Sequence, residues 1–252
     1  MLMQDTIQKL NAMRLIGMAR GIQDQLADHE IGSLDFEERL GLLVDQEWTY
    51  RENRRLGRLL KEARLRENAS LEDIDRREGR GLNRAQIKSL AILKWINENR
   101  NVIITGATGT GKTYLSCAFG NGACRRGYKT HYYRGPKLLE EIRLSRVDGT
   151  YIRLLTKLGR ARLLILDDFG LSAPTETEAK DLLEVIEECQ SKCSVVIASQ
   201  LPLDSWHQAI SNPTVADAIL DRLVHSAYNF NLKGESMRRK TRPKQEAKPA
   251  TM

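Results

Sequence analysis

Apolar residues in the first hundred positions recur at helical spacing. From Thr6 to Leu26 they fall at Ile7, Leu10, Leu15, Met18 and Ile22, close to the repeat of one helix face. Ser33-Leu34-Asp35-Phe36-Glu37 reads as a capped start with Glu37 near the first turn, and the next helix runs through Leu40, Leu42, Leu43 and Trp48. From Trp48 to Arg66 the two faces separate. Leu56, Leu59, Leu60 and Ala63 share one side, and Arg51, Arg54, Arg55 and Arg58 the other. Ser70 to Gly81 is polar and glycine-bounded and reads as a linker. Asn83 then opens a helix through Leu90, Leu93 and Trp95.

Beyond residue 100 the period changes. Runs at 101–105, 129–134, 163–167, 194–198 and 228–232 read as strands, with room for a helix between each pair. Alternating strands and helices are the mark of an α/β fold with a parallel sheet, here of five strands. The expected organisation is a helical module over 1–69, a linker over 70–82, an α/β domain over 83–240 and a disordered basic tail over 241–252. About 20 residues follow the last strand, too few for an added helical lid domain of ordinary size.

Composition narrows the class. With 41% hydrophobic and 29% charged residues among 252, the chain has an ordinary soluble balance. No apolar run is long enough to span a bilayer, and Asp5 interrupts any signal core, so a cytoplasmic protein with no membrane partner is expected. The net charge of +7 favours a polyanionic partner. Cys117, Cys124, Cys189 and Cys193 lack metal-ligand spacing and read as reduced packing residues.

Candidate chemistry begins at Gly106-Ala107-Thr108-Gly109-Thr110-Gly111-Lys112-Thr113, a full match to G-x-x-x-x-G-K-[ST]. The match lies between a strand and a helix opening at Tyr114, the context that phosphate binding needs. Glycines let successive N–H groups turn onto phosphate oxygens, and the helix N-terminus adds favourable charge. Lys112 would reach the outer phosphates, and Thr113 would hold Mg²⁺. The run Leu163 to Leu166 ends at Asp167 and Asp168. Asp167 would position the metal and Asp168 would orient or deprotonate the attacking water, unless the pair is merely an acidic turn. Ser199 and Gln200 end the next strand, where a polar group can lie beside the terminal phosphate or simply begin a turn. Arg222 follows the apolar helix over 215–220 and suits an arginine finger or a surface ion pair; Arg238 lies just past the last strand.

Two basic surfaces suit nucleic-acid phosphates: the Arg51, Arg54, Arg55, Arg58 face, and a stretch with Arg134, Lys137, Arg143 and Arg146. Each can equally be a solvated charged face, with Glu52 and Glu62 as partners for the first.

Taken together the chain resembles the IstB-like ATP-binding proteins of bacterial insertion sequences, relatives of the DnaC-type helicase loaders in the AAA+ class. The resemblance covers about residues 5–240 and rests chiefly on Glu47 to Leu56, Gly106 to Thr113, Leu163 to Gly170, Ser199 to Pro202, Asp221 to Leu223 and Gly234 to Arg238. It implies an AAA+ core, with the lid absent or much reduced, in an ATPase that uses ATP and Mg²⁺, forms a homo-oligomer on duplex DNA and assists a transposase. It places Lys112 and Thr113 in the first nucleotide motif and Asp167 and Asp168 in the second. Gln200 stands at the first sensor, where Asn is usual; Arg222 falls at the trans-acting finger and Arg238 at the second sensor. The alternative within the fold is a replicative helicase loader on single-stranded DNA. A small-molecule kinase would leave Arg222 and the basic N-terminal helix without a use, and no Asn-Lys-x-Asp motif supports a GTPase. A non-hydrolysing scaffold is disfavoured by the intact motifs.

Overall fold

A computed structural model of the protein describes residues 2–74 and 81–237. The five runs expected as strands form one sheet: β1 (Val102–Gly106), β2 (Thr130–Arg134), β3 (Leu163–Phe169), β4 (Ser194–Ser199) and β5 (Tyr228–Leu232). Their order across the sheet is β2-β3-β4-β1-β5, and all neighbours are parallel. Parallel strands need crossovers that cover both faces, so β1 to β4 are buried along most of their length, whereas the edge strand β5 alternates, with Asn229 and Asn231 exposed and Phe230 and Leu232 buried. Ile103, Leu164, Leu166 and Ile197 enter one apolar cluster; Val102, Ile104, Leu163, Ile165 and Val196 enter the other.

The helices of this α/β part are α4 (Arg84–Ala91), α5 (Lys94–Asn97), α6 (Lys112–Arg125), α7 (Gly135–Val147), α8 (Tyr151–Gly159), α9 (Glu176–Cys189), α10 (Trp206–Ala209) and α11 (Pro213–Val224). Helices α4 to α6 pack on one face of the sheet, and α7 to α11 contribute the other cluster. Asn83 caps α4, its side chain accepting from Ala85 N and Gln86 N. The helix expected through Leu90, Leu93 and Trp95 breaks at Leu93, which has φ of +59°. The segment expected as a linker carries packed side chains: Leu71 and Ile74 are buried in the α4–α6 cluster. Among the described residues no further helical domain follows β5, and no helix is long and apolar enough to cross a membrane.

Three helices precede the sheet: α1 (Leu2–Ala12), α2 (Ile16–Ala27) and α3 (Phe36–Ala63). The periodic stretch from Thr6 to Leu26 is two helices, because Arg14 adopts φ of +61° between them. The helices expected before and after Trp48 are one, of 28 residues. Its start is a reciprocal cap. Glu38 N donates to Asp35 Oδ1 (2.8 Å) and Asp35 N to Glu38 Oε2 (3.2 Å), so Glu38 takes the part that Glu37 was expected to fill. The chain divides into two compact units, Met1–Arg58 and Leu59–Met252.

In the first unit α2 and α3 meet backbone to backbone. A Cβ at Gly17 would stand 2.5 Å from Glu47 Cα, so only glycine allows the approach. Buried Glu47 receives Gly17 N (2.6 Å) and Met18 N (3.1 Å) at the start of α2 and pairs with Arg51 (2.6 Å). Burial raises its carboxyl pKa, but the bonds from Arg51, Met18 and Gly17 outweigh this and hold it below the ordinary range.

Candidate nucleotide site

The loop from Gly106 to Gly111 joins the end of β1 to the start of α6, at the carboxyl end of the sheet where α/β folds bind ligands. Gly106, Gly109 and Gly111 have φ of +146°, +84° and +96°, values that a side chain would resist. Crowding reinforces two of them. A Cβ at Gly106 would meet Leu232 O at 2.4 Å, and one at Gly109 would meet Ser236 Oγ at 2.2 Å. Met237 N donates to Gly109 O (2.9 Å), so the chain beyond β5 closes on the loop. Lys112 is buried at the first position of α6 and donates to Gly106 O (2.7 Å) and Ala107 O (2.9 Å). Thr110 is bonded to Ala107 O within the loop (2.8 Å), and Thr108 donates to Gln200 Oε1 (2.7 Å).

Asp167 and Asp168 occupy an irregularity in β3. Leu166 pairs with Ile197 and Phe169 with Ser199, so β3 carries one extra residue between the two pairings. Such a bulge re-aims side chains. It leaves Asp168 at φ of +55°, its N–H donating to Asp167 Oδ1 (2.9 Å). Asp167 is buried and receives Thr113 Oγ1 (2.8 Å) and the Tyr132 hydroxyl (2.6 Å) on Oδ2. Burial, and then the neighbouring Asp167 carboxylate, raise the Tyr132 pKa, so this phenol stays a donor. Thr113 and Asp167 thus present hard oxygen atoms together, a donor set that suits Mg²⁺. Asp168 lies at the cavity edge, where Arg134 Nε donates to it (2.8 Å).

These groups surround a cavity of about 580 Å³, within the usual range for small-molecule sites. Thr108, Gly109, Gly111, Lys112, Thr113, Tyr114, Arg134, Asp168 and Gln200 line it. The glycine cradle, the helix N-terminus, a buried lysine and the Thr113–Asp167 pair fit a nucleoside triphosphate and its metal. Ser199, by contrast, has its hydroxyl committed to Phe169 O (2.8 Å) and Leu201 N (3.1 Å), tying β4 to β3.

Sequence reasoning missed Arg66, Glu67, Asp73 and Ile74, which line the same cavity. The one available signal was Ile74, an apolar residue in a polar stretch. Tyr132, whose hydroxyl reaches Asp167, carried no signal either.

Other expected site residues lie elsewhere. Arg222 is inside the last turn of α11, not beyond the helix, and pairs with Glu187 (2.9 Å), Gln190 (3.3 Å) and Ala218 O (2.8 Å). Asn101, just before β1, donates to Arg222 O and Leu223 O (both 3.1 Å). Arg222 therefore sits at the entry end of β1, away from the phosphate loop at its exit. Arg238 lies outside the described residues.

The basic candidates divide. Arg54 and Arg58 are exposed, Arg51 pairs with Glu47, and Arg55 lies 3.6 Å from Glu52. Arg143 is exposed and Lys137 reaches Glu140 (3.2 Å). Arg134 belongs to the nucleotide cavity. Arg146 bonds Asp181 (Nε, 2.8 Å) and stacks on Tyr151 at 3.8 Å. All four cysteines are free and buried, and burial raises the Cys117 thiol to about 11, as suits packing residues.

Comparison with known proteins finds ATP-binding relatives. The profile of the IstB-like ATP binding proteins matches residues 8–245. A protein of Sinorhizobium fredii named for insertion sequence ATP binding, y4pL, is 46% identical over 97% of this chain and 100% of its own length. An ATP-binding protein of insertion sequence IS1162 from Pseudomonas fluorescens is 46% identical over 84% of this chain and 93% of its own. Among solved structures, DnaI superposes with a TM-score of 0.56 at 21% identity over 66% of this chain and 92% of its own. AMPPCP-bound DnaA from Aquifex aeolicus superposes with 0.56 at 21% over 69% and 53%.

Proposed function

We propose that this chain, which belongs to the IstB-like ATP binding protein family, is a DNA-dependent ATPase that assembles on duplex DNA and assists the transposase of an insertion sequence. An AAA+ ATP-binding core is established by the family and the fold. The observation that carries the ATPase reading is the joining of two sequence-distant motifs, with Thr113 Oγ1 2.8 Å from Asp167 Oδ2.

The residue roles follow from position. The loop N–H groups and the N-terminus of α6 would bind the phosphates, and Lys112 would leave the loop carbonyls to neutralise them. Thr113 and Asp167 would hold Mg²⁺, with Tyr132 fixing the Asp167 rotamer. The bound ion supplies neutralisation of the triphosphate charge. Asp168 would take the proton of the attacking water as oxygen joins the γ-phosphorus and the bond to the bridging oxygen breaks. It must first part from Arg134. Gln200 would orient that water through its side-chain amide, from the end of β4 between the two motif strands. Arg222, at the opposite end of the sheet from its own phosphate loop, would serve a neighbouring subunit in an oligomer.

The relatives' names support an insertion-sequence setting, and a DnaA structure of this fold, TM-score 0.56, is bound to AMPPCP and single-stranded DNA. Exposed Arg54 and Arg58 with Arg55, and Lys137 with Arg143, would contact backbone phosphates without base readout. Sedimentation of the protein with duplex DNA tests this. Large complexes are expected with a slowly hydrolysed ATP analogue and not with ADP. Replacing Arg54 and Arg55 by Glu should weaken them on every sequence alike. Complexes indifferent to the nucleotide, or lost on one sequence only, contradict the proposal.

A further inference from the structure

Arg66 belongs to no nucleotide motif, yet its part-exposed side chain lines the site beside the two carboxylates. It follows the end of α3 at Ala63, where Arg64 turns the chain with φ of +53°. Two contacts fix the segment to α6, the helix that carries the phosphate loop. Leu65 fills the notch at Gly120, where a Cβ would stand 2.7 Å from its Cδ2. The backbone of Glu67 and Arg66 lies beside the buried Cys117 thiol and opposes the rise in its pKa that burial causes. So anchored, Arg66 places Nη1 3.7 Å from Asp168 Oδ2 and 4.0 Å from Asp167 Oδ2. It also bonds Tyr132, the phenol that holds Asp167.

The position is informative. Arg66 lines the same cavity as Lys112 and Thr113 and approaches it from beside the two carboxylates. On the role proposed for Asp168, that side receives the terminal phosphate, not the base. A guanidinium is a planar fork of donors that matches a phosphate group, whereas the Lys112 ammonium is a point charge. With no phosphate bound, Arg66 offsets the charge of the Asp167–Asp168 pair. A divalent ion held by Asp167 would offset its share of that charge and leave Asp168 as the carboxylate from which the guanidinium would turn.

We propose that Arg66 is the residue that distinguishes ATP from ADP in this site, ordering the two aspartates before nucleotide enters and turning its guanidinium onto the terminal phosphate afterwards. The inference rests on the ATPase reading above and adds a terminal-phosphate contact from the segment that follows α3.

Equilibrium titration of ATP and ADP in magnesium tests it, on the wild-type protein, Arg66→Ala and Arg66→Lys. Arg66→Ala should lose about tenfold in ATP affinity, 1.4 kcal/mol, and stay within about twofold for ADP. Arg66→Lys should regain part of the ATP affinity. A guanidinium with a merely structural role would weaken ATP and ADP alike. That result, or an unchanged ATP affinity, overturns the proposal. If Arg66→Ala does not fold, the ATP-to-ADP ratio of Arg66→Lys decides: a ratio below that of the wild type supports the contact, and an unaltered one refutes it. Failure of the wild-type protein to bind ATP at all would instead overturn the nucleotide reading itself.

Discussion

Thr113 carries the connection between the two nucleotide motifs in a single hydroxyl, so it is the residue at which their joint role is best tried. Thr113→Val keeps the shape and removes the group that bonds Asp167. In magnesium the variant should bind ATP on the order of tenfold more weakly. In chelator its affinity should match the wild type, because the loop N–H groups and Lys112 are untouched. An unchanged gain from magnesium would show that Thr113 holds no metal. The phosphate loop was legible because its residues stand in one short run with a fixed physical task. Tyr132 and Arg66 were not, because nothing local marks a phenol on β2 or an arginine after a helix as a neighbour of Asp167. The left-handed conformation of Asp168 was hidden for the same reason: it arises from the mismatch of β3 with β4, not from Asp168 itself.

At the scale of elements, the sequence pattern found every strand within a residue or two at each end: β1, β3 and β4 are apolar runs buried on both faces, and β5 alternates as an edge strand does. It failed where backbone conformation, not composition, makes the break. Arg14 and Leu93 interrupt helical patterns without glycine or proline. The meeting of α2 and α3 was also invisible, because a glycine in a helical pattern reads only as a weaker helix. Two substitutions separate the effects. Alanine favours a helix over glycine by about 1 kcal/mol. At Gly57 nothing lies within 4 Å of the added Cβ, so Gly57→Ala should stabilise by about 0.5–1 kcal/mol. At Gly17 the Cβ would meet the Glu47 and Gln46 backbone at 2.5 and 2.7 Å, and packing should win, with Gly17→Ala destabilising by about 1–3 kcal/mol. Urea unfolding of both variants checks the opposite signs; a stabilised Gly17→Ala would mean that the two helices are not in backbone contact.

For the whole molecule, the α/β class was legible from alternation, whereas the order β2-β3-β4-β1-β5 was not, since alternation does not say which strands become neighbours. That order sets β4, with Gln200 at its end, between the phosphate loop and Asp167, and places Arg222 at the far end of the sheet. On the proposed function, such a chain would hold its own nucleotide and offer Arg222 to another copy. Oligomerisation on DNA would then complete each site, and the Arg222 pairing with Glu187 would give way at the junction. The most direct measurement is the steady-state rate of ATP hydrolysis by the wild-type protein and Arg222→Ala, each with and without duplex DNA. The account predicts a wild-type rate that rises with duplex and a variant roughly 10³-fold or more slower on it. A rate indifferent to duplex, or an Arg222→Ala variant as fast as the wild type, would contradict it.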